Sequence, residues 1–195
     1  MTKEELIAFE TGIAGQCFKK KIPGPVHLSY GNEEKLIKIF KKINREDWVF
    51  SNHRSHYHAL LKGVPKSWLK KEITSGRSIT INNPDYKFYA SAIMGDTVSI
   101  ATGVAMGLKR KSVREQVWCF VGDMCAEMGA FDEAVKFAER NDLPITFVVE
   151  DNGLSTLTPT QKVWGLYPRK NKVIRYKYKN NRYPHSGVNK KYPVF

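Results

Sequence analysis

Two apolar runs of strand type, Gln116–Val121 and Ile145–Val149, each end in a polar cluster: Gly122-Asp123-Met124-Cys125 after the first, Glu150-Asp151-Asn152-Gly153 after the second. Between them, Gly129 to Asn141 carries Phe131, Ala134, Val135, Phe137 and Ala138 at helical spacing. A strand–loop–helix–strand unit of this kind folds as a parallel crossover. Its two carboxyl strand ends then reach the same sheet edge, where α/β proteins bind ligands. Asp123 and Asn152 are therefore expected to be neighbours. A carboxylate and an amide oxygen are hard ligands suited to Mg²⁺, which is held by one or two carboxylates plus phosphate oxygens and water. The helix starting near Gly129 is expected to point its positive end at an anion there.

The rest of the chain must complete the sheet. At 195 residues and 42% hydrophobic content, residues 1–195 are expected to form a single compact α/β domain, a parallel sheet flanked by helices. No apolar run reaches about 18 residues and no signal pattern opens the chain, so a soluble, cytoplasmic protein without membrane association is expected. Cys17, Cys119 and Cys125 show no metal-ligand spacing and read as reduced thiols. The net charge of +13 is uneven, with ten Lys and Arg and no Asp or Glu in the segment 161–195. Nucleic acid, cofactor phosphates, an acidic partner subunit or plain solvent could each face such a segment.

Thr2 and Glu5 form a capping-box pattern ahead of Leu6, Ile7, Phe9, Ile13 and Cys17, predicting a first helix that ends at Lys19-Lys20-Lys21. A second helix is predicted from Asn32, with Leu36, Ile37, Phe40 and Ile43 inward. Asp47–Phe50 reads as a strand, Pro65 to Gly76 as a helix, and Arg77 to Phe88 as loop. A helix from Thr97 to Lys109 is expected to turn Ile100, Val104 and Leu108 inward, with Gly103 and Gly107 permitting tight packing. Val173–Tyr178 alternates like a strand, and Tyr183 to Gly187 reads as a loop with His185 at its exposed tip. His53 and His56 suggest a metal only weakly, because Arg54 between them repels cations. A phosphate or substrate site fits an arginine better.

Four blocks then carry a resemblance: Pro23 to Glu33, His53 to Gly63, Ala92 to Gly95, and the Gly122 to Asn152 unit, in which 26 residues separate Met124 from Asp151. In this order they resemble the alpha subunit of thiamine-diphosphate-dependent 2-oxo acid dehydrogenases of the pyruvate, branched-chain and acetoin type. The resemblance implies a thiamine-diphosphate-binding fold and the cofactors thiamine diphosphate and Mg²⁺. It implies decarboxylation of a 2-oxo acid and a beta subunit, in an alpha2beta2 hetero-oligomer, that supplies the activating glutamate.

Carried over by position, Asp123, Asn152 and the carbonyl of Leu154 would ligate Mg²⁺. Arg54 would meet the diphosphate, Ala92 and Met94 the aminopyrimidine, and His53, Gly122 and Met124 would line the cofactor. His27 and His185 would take the catalytic roles. The sequence departs from the family pattern at Met124 (glycine in the family), Asp151 (asparagine), Asn32 (glutamine) and His53 (commonly tyrosine). Between Pro159 and Val173 it is far too short for the family's last helices and strands. A non-catalytic derivative that binds a partner or, less expectedly, nucleic acid through its basic tail is the alternative. An enzyme of the same cofactor class with another acceptor is a further one.

Overall fold

Alternation along the two central strands assigns the faces of the sheet. In β4 (Val117–Gly122), Val117, Cys119 and Val121 point to one side and Trp118 and Phe120 to the other. In β5 (Ile145–Asp151), Phe147 and Val149 join the first set and Val148 the second. The computed structural model describes residues 1–165, 173–180, 182–185 and 187–188. Its remaining main strands are β1 (Trp48–Ser51), β2 (Asn82–Asn83), β3 (Phe88–Ala90) and β8 (Ile174–Lys177). The sheet order is β2-β3-β1-β4-β5-β8, parallel except for β2. A separate hairpin pairs β6 (Leu154–Ser155) with β7 (Thr158–Pro159).

One face is covered by α1 (Lys3–Phe18), α2 (Glu33–Phe40), α3 (His56–Leu61) and α4 (Lys66–Glu72), the other by α5 (Asp96–Arg110) and α6 (Gly129–Arg140). The predicted capping box of α1 is present: Glu5 N donates to Thr2 Oγ1 at 3.2 Å and Thr2 N to Glu5 Oε2 at 2.8 Å. A short helix, α7 (Thr160–Trp164), follows the hairpin. Among the described residues, no helix is long and apolar enough to cross a membrane.

Several expectations are corrected. The inward face of α5 is Val98, Ala101 and Ala105, whereas Ile100 is 38% exposed. Val104 and Leu108 pack against the same cluster at its edge, partly buried, so of the three residues expected inward only Ile100 turns away. Among the described residues, nothing lies within 4 Å of a Cβ built on Gly103 or Gly107, so neither serves tight packing against them. Phe137 is also outward, 44% exposed. At about 100° per residue it sits a third of a turn from the stripe of Phe131, Ala134, Val135 and Ala138. The predicted loop from Arg77 to Phe88 contains β2, whose two-residue pairing with β3 leaves no periodic trace in sequence. Parts of the basic segment 161–195, and Ser186 beside His185, lie outside the described residues.

β8 closes the sheet against β5, with Val148 opposite Ile174 and Asp151 opposite Lys177. Its inward Tyr176 is buried. Its outward Arg175 approaches Asp151 at 3.5 Å and Glu127 at 3.7 Å. Beyond the strand, Lys179 crosses Gly31, which sits at φ +87°. A Cβ on Gly31 would lie 2.3 Å from the Lys179 carbonyl oxygen, so no larger residue fits without moving the backbone.

Gly31→Ala is therefore expected to cost roughly 2–4 kcal/mol in urea unfolding, combining left-handed strain with a backbone clash. Gly12→Ala and Gly15→Ala, mid-helix in α1 with open space above them, are expected to stabilise by about 0.5–1 kcal/mol.

Candidate active site at the carboxyl edge of the sheet

The register between β4 and β5 sets Gly122 opposite Glu150, so the polar clusters that follow emerge side by side. A cavity of about 300 Å³ opens at this edge. Its walls include all eleven residues singled out from sequence: His27, His53, Arg54, Ala92, Met94, Gly122, Asp123, Met124, Asn152, Leu154 and His185. They come from the loop before α2, the turn between β1 and α3, the turn before α5, the ends of β4 and β5, and the segment after β8. The helix end nearest the cavity is corrected: Gly95 and Thr97 at the start of α5 line it, whereas Gly129 does not. A 3-10 turn at Cys125–Glu127 separates Asp123 from α6.

Asp123 is 2% exposed. Burial raises its pKa and a hydrogen bond from the Thr160 hydroxyl to Oδ2 opposes the rise. Asn152 is fixed at both ends of its amide. Its Oδ1 accepts from Leu154 N at 3.0 Å, and its Nδ2 donates to His185 Nδ1 at 3.0 Å and to the Tyr178 hydroxyl at 3.3 Å. Arg54, 6% exposed, donates from Nη1 to the carbonyl of Leu28. From Nη2 it donates to the carbonyl of His185 at 3.0 Å and to its Nδ1 at 3.2 Å.

His185 Nδ1 thus faces two donors and must be the lone-pair nitrogen, which places the proton on Nε2 and leaves the ring neutral. Burial, then the charge of Arg54, lowers its pKa to about 3. His185 is not at an exposed tip, as the turn residues around it suggested, but is tucked between Arg54 and Asn152. His53 packs edge-on against His27 with ring centroids 4.4 Å apart, and burial, then His27, lowers its pKa to about 3. His53 lies in the turn before α3, whereas His56 opens the helix and points away from the cavity. His56 lies under α1, accepting or donating at Glu10 Oε1 (3.1 Å) and Ser78 Oγ (2.9 Å). Among the described residues, no group of three or more His, Cys, Asp or Glu could hold a metal.

Behind the cavity runs a second buried network. Ser51 Oγ meets His58 Nδ1 at 2.6 Å, and His58 Nε2 meets Glu150 Oε2 at 3.3 Å. Asn32 Nδ2 (3.2 Å) and the Tyr176 hydroxyl both donate to Glu150 Oε1. Burial alone would raise the Glu150 pKa, but His58, Tyr176 and Asn32 outweigh it and hold the carboxylate below its usual range. The network ties the ends of β1 and β5 to α2, α3 and β8.

Sequence reasoning did not single out Glu10, Ser51, Glu150 or Tyr176. A signal existed for Glu10, a charge set between Leu6 and Ile13 on the apolar stripe of α1, where only a buried partner makes it tolerable. Thr160 and Tyr178 carried none, since their roles depend on where the chain returns.

The family model of the dehydrogenase E1 component matches residues 2–164. The chain belongs to the dehydrogenase E1 component family. Within the E1 family it is similar to the alpha subunit of acetoin:2,6-dichlorophenolindophenol oxidoreductase of Bacillus subtilis strain 168, at 30% identity over 80% of this chain and 50% of that one. It is similar also to the pyruvate dehydrogenase E1 component subunit alpha of Porphyra purpurea, at 32% identity over 74% of this chain and 47% of that one. The chain spans about half the length of these E1 relatives. A solved thiamin diphosphate-dependent enzyme from Mycobacterium smegmatis aligns over 66% of this chain and 21% of its own, at 20% identity and a TM-score of 0.43, too low to add to the fold assignment. The α/β fold with a mostly parallel sheet flanked by helices agrees with the expectation from sequence.

Two measurements check this electrostatic arrangement. Because His53 and His185 have folded pKa values lowered from 6.5 to about 3, the unfolded chain binds protons that the native one refuses. Their contribution is full above about pH 6.5 and is lost as pH falls, by at most about 1.4 kcal/mol per histidine per pH unit. Urea unfolding at pH 7.5 and 5.5 should show this loss, and His185→Gln should reduce it by about half, leaving the His53 share. Glu150→Ala, which strands His58, Tyr176 and Asn32, is expected to cost about 3–5 kcal/mol.

Proposed function

We propose that this chain binds thiamine diphosphate and Mg²⁺ as the alpha subunit of a 2-oxo acid dehydrogenase-type enzyme. With a beta subunit, as an alpha2beta2 assembly, it decarboxylates a 2-oxo acid and passes on the acyl or aldehyde unit. The observation that carries the proposal is the emergence of Asp123 and Asn152 at adjoining strand ends into one cavity with Arg54. Family membership supports the cofactor class.

The donors present fit the group. Asp123, Asn152 and the carbonyl of Leu154 offer only oxygens, and a cation held by them would complete its shell with diphosphate oxygens and water, as Mg²⁺ does. The replacement of glycine by Met124 and of asparagine by Asp151 removes none of these oxygens. Arg54, now engaged by the carbonyl and ring of His185, can turn its planar fork to a diphosphate. A cavity of about 300 Å³ stands at the lower limit for small-molecule sites of roughly 300–1,000 Å³, as suits a half-site that a partner completes.

Bound thiamine diphosphate supplies the electron sink for decarboxylation. This chain's own residues hold and orient. Ala92 and Met94 offer backbone groups at the cavity wall. His27, beside the neutral His53 on the cavity wall, would line the reaction side. His185, its Nδ1 lone pair taken by Arg54 and Asn152, keeps a proton at Nε2 on a neutral ring, suiting it to donate a hydrogen bond from Nε2 rather than to carry charge.

The basic tail is better read as part of the fold than as a nucleic-acid arm. Arg175 pairs with acidic groups, and Arg182 stacks over Tyr30 and Tyr183 at 5.3 and 5.5 Å. None of the three cysteines is in a disulfide, which suits the reducing cytoplasm we propose as its compartment.

Thiamine diphosphate with Mg²⁺ should raise the melting temperature, and Asp123→Ala should abolish the response. At about 100 times the dissociation constant the expected stabilisation is roughly 2.7 kcal/mol. Absence of any shift, with a beta-type partner present, would overturn the proposal.

A further inference from the structure

After Leu154 the chain does not leave the site. It doubles back through the β6–β7 hairpin and α7, forming a strap from Leu154 to Trp164. The strap has little apolar packing of its own: Leu157 is 65% exposed, Val163 52% and Trp164 47%. Polar contacts hold it down. Thr160 N donates to the Gly153 carbonyl at 3.1 Å. The Thr160 hydroxyl donates to Asp123 Oδ2, and Trp164 Nε1 donates to Met124 Sδ at 3.1 Å.

The last two contacts land on consecutive residues of the loop after β4. Met124 is also where this sequence departs from the family's glycine, and a glycine would offer the indole no side-chain acceptor. The departure and the strap therefore fit each other: the thioether anchors the helix whose first residue reaches the carboxylate.

A carboxylate that ligates a cation through one oxygen leaves the other for an outer donor, and that donor sets the ligand's direction. We infer that Thr160 is a positioning residue of the cation site: its hydroxyl commits Asp123 Oδ2 and turns the second oxygen to the cation, while the Trp164–Met124 contact keeps the strap in place. The inference rests on reading Asp123 as a cation ligand. It goes beyond that reading by adding a residue from a segment that follows both strands.

The test uses Mn²⁺ as the probe, titrated by electron paramagnetic resonance into the full chain with thiamine diphosphate present. Thr160→Val should weaken Mn²⁺ binding roughly 10- to 100-fold, and Thr160→Ser should restore it to within about threefold. Both variants should keep the parent's melting temperature without cation, which separates positioning from folding. Trp164→Phe, which lacks the N–H but keeps the ring, should fall between parent and Thr160→Val. If Thr160→Val binds Mn²⁺ as tightly as the parent while Asp123→Ala does not bind it, the inference is overturned and the cation site stands. Tighter binding by Thr160→Val overturns it as well, since the hydroxyl would then be a competitor for the oxygen. A parent chain that takes up no Mn²⁺ in the presence of diphosphate and partner overturns the cation site and the inference together.

Discussion

The site depends on the parallel pairing of β4 with β5. Six consecutive partner pairs, from Val117 with Ile145 to Gly122 with Glu150, lock the two strands in one register. A slip of one residue would send Cys119 and Val121 to the wrong face, and Asp123 would no longer stand beside Asn152. The register is protected from both sides by apolar packing and at its end by a charge. Glu150, the last residue to pair with β4, is buried and held by His58, Asn32 and Tyr176. A carboxylate at the rim of a core is costly unless so surrounded, and here the surrounding groups belong to three other elements. The polar cluster that fixes β5 is thus the one that draws α2, α3 and β8 to it.

Much of this was legible in the sequence because it depends on short-range pattern. The alternation of β4, the 3.6-residue stripe of α6 and the capping box at Thr2 are local, and each appears where expected. The eleven candidate residues converge because the crossover rule places strand ends together, and because the resemblance joins distant blocks that periodicity alone could not.

What escaped was set by tertiary context. Ile100 looked inward by its apolar character, yet the buried stripe of α5 runs through Val98, Ala101 and Ala105, with Val104 and Leu108 at its edge, and leaves Ile100 outside. His185 looked exposed because turn residues surround it, yet the loop folds onto Arg54. Asp123 was recognisable as a candidate ligand, whereas its donor Thr160 was not, since a hydroxyl in a turn-rich stretch has no signature until the backbone returns. Arg175 on β8 meets Asp151 and Glu127, a pairing between residues far apart in sequence that no local pattern announces.

Gly31 gives the contact of Lys179 with the loop before α2 a temporal meaning. The cavity draws Arg54 from early in the chain and His185 from late in it, and the late segment seats only where a missing side chain leaves room for its carbonyl. Pairings so distant along the polypeptide form slowly. The late wall of the cavity is thus completed only once Lys179, just past β8, has seated over Gly31, so the earliest and latest parts of the pocket form as one cooperative unit.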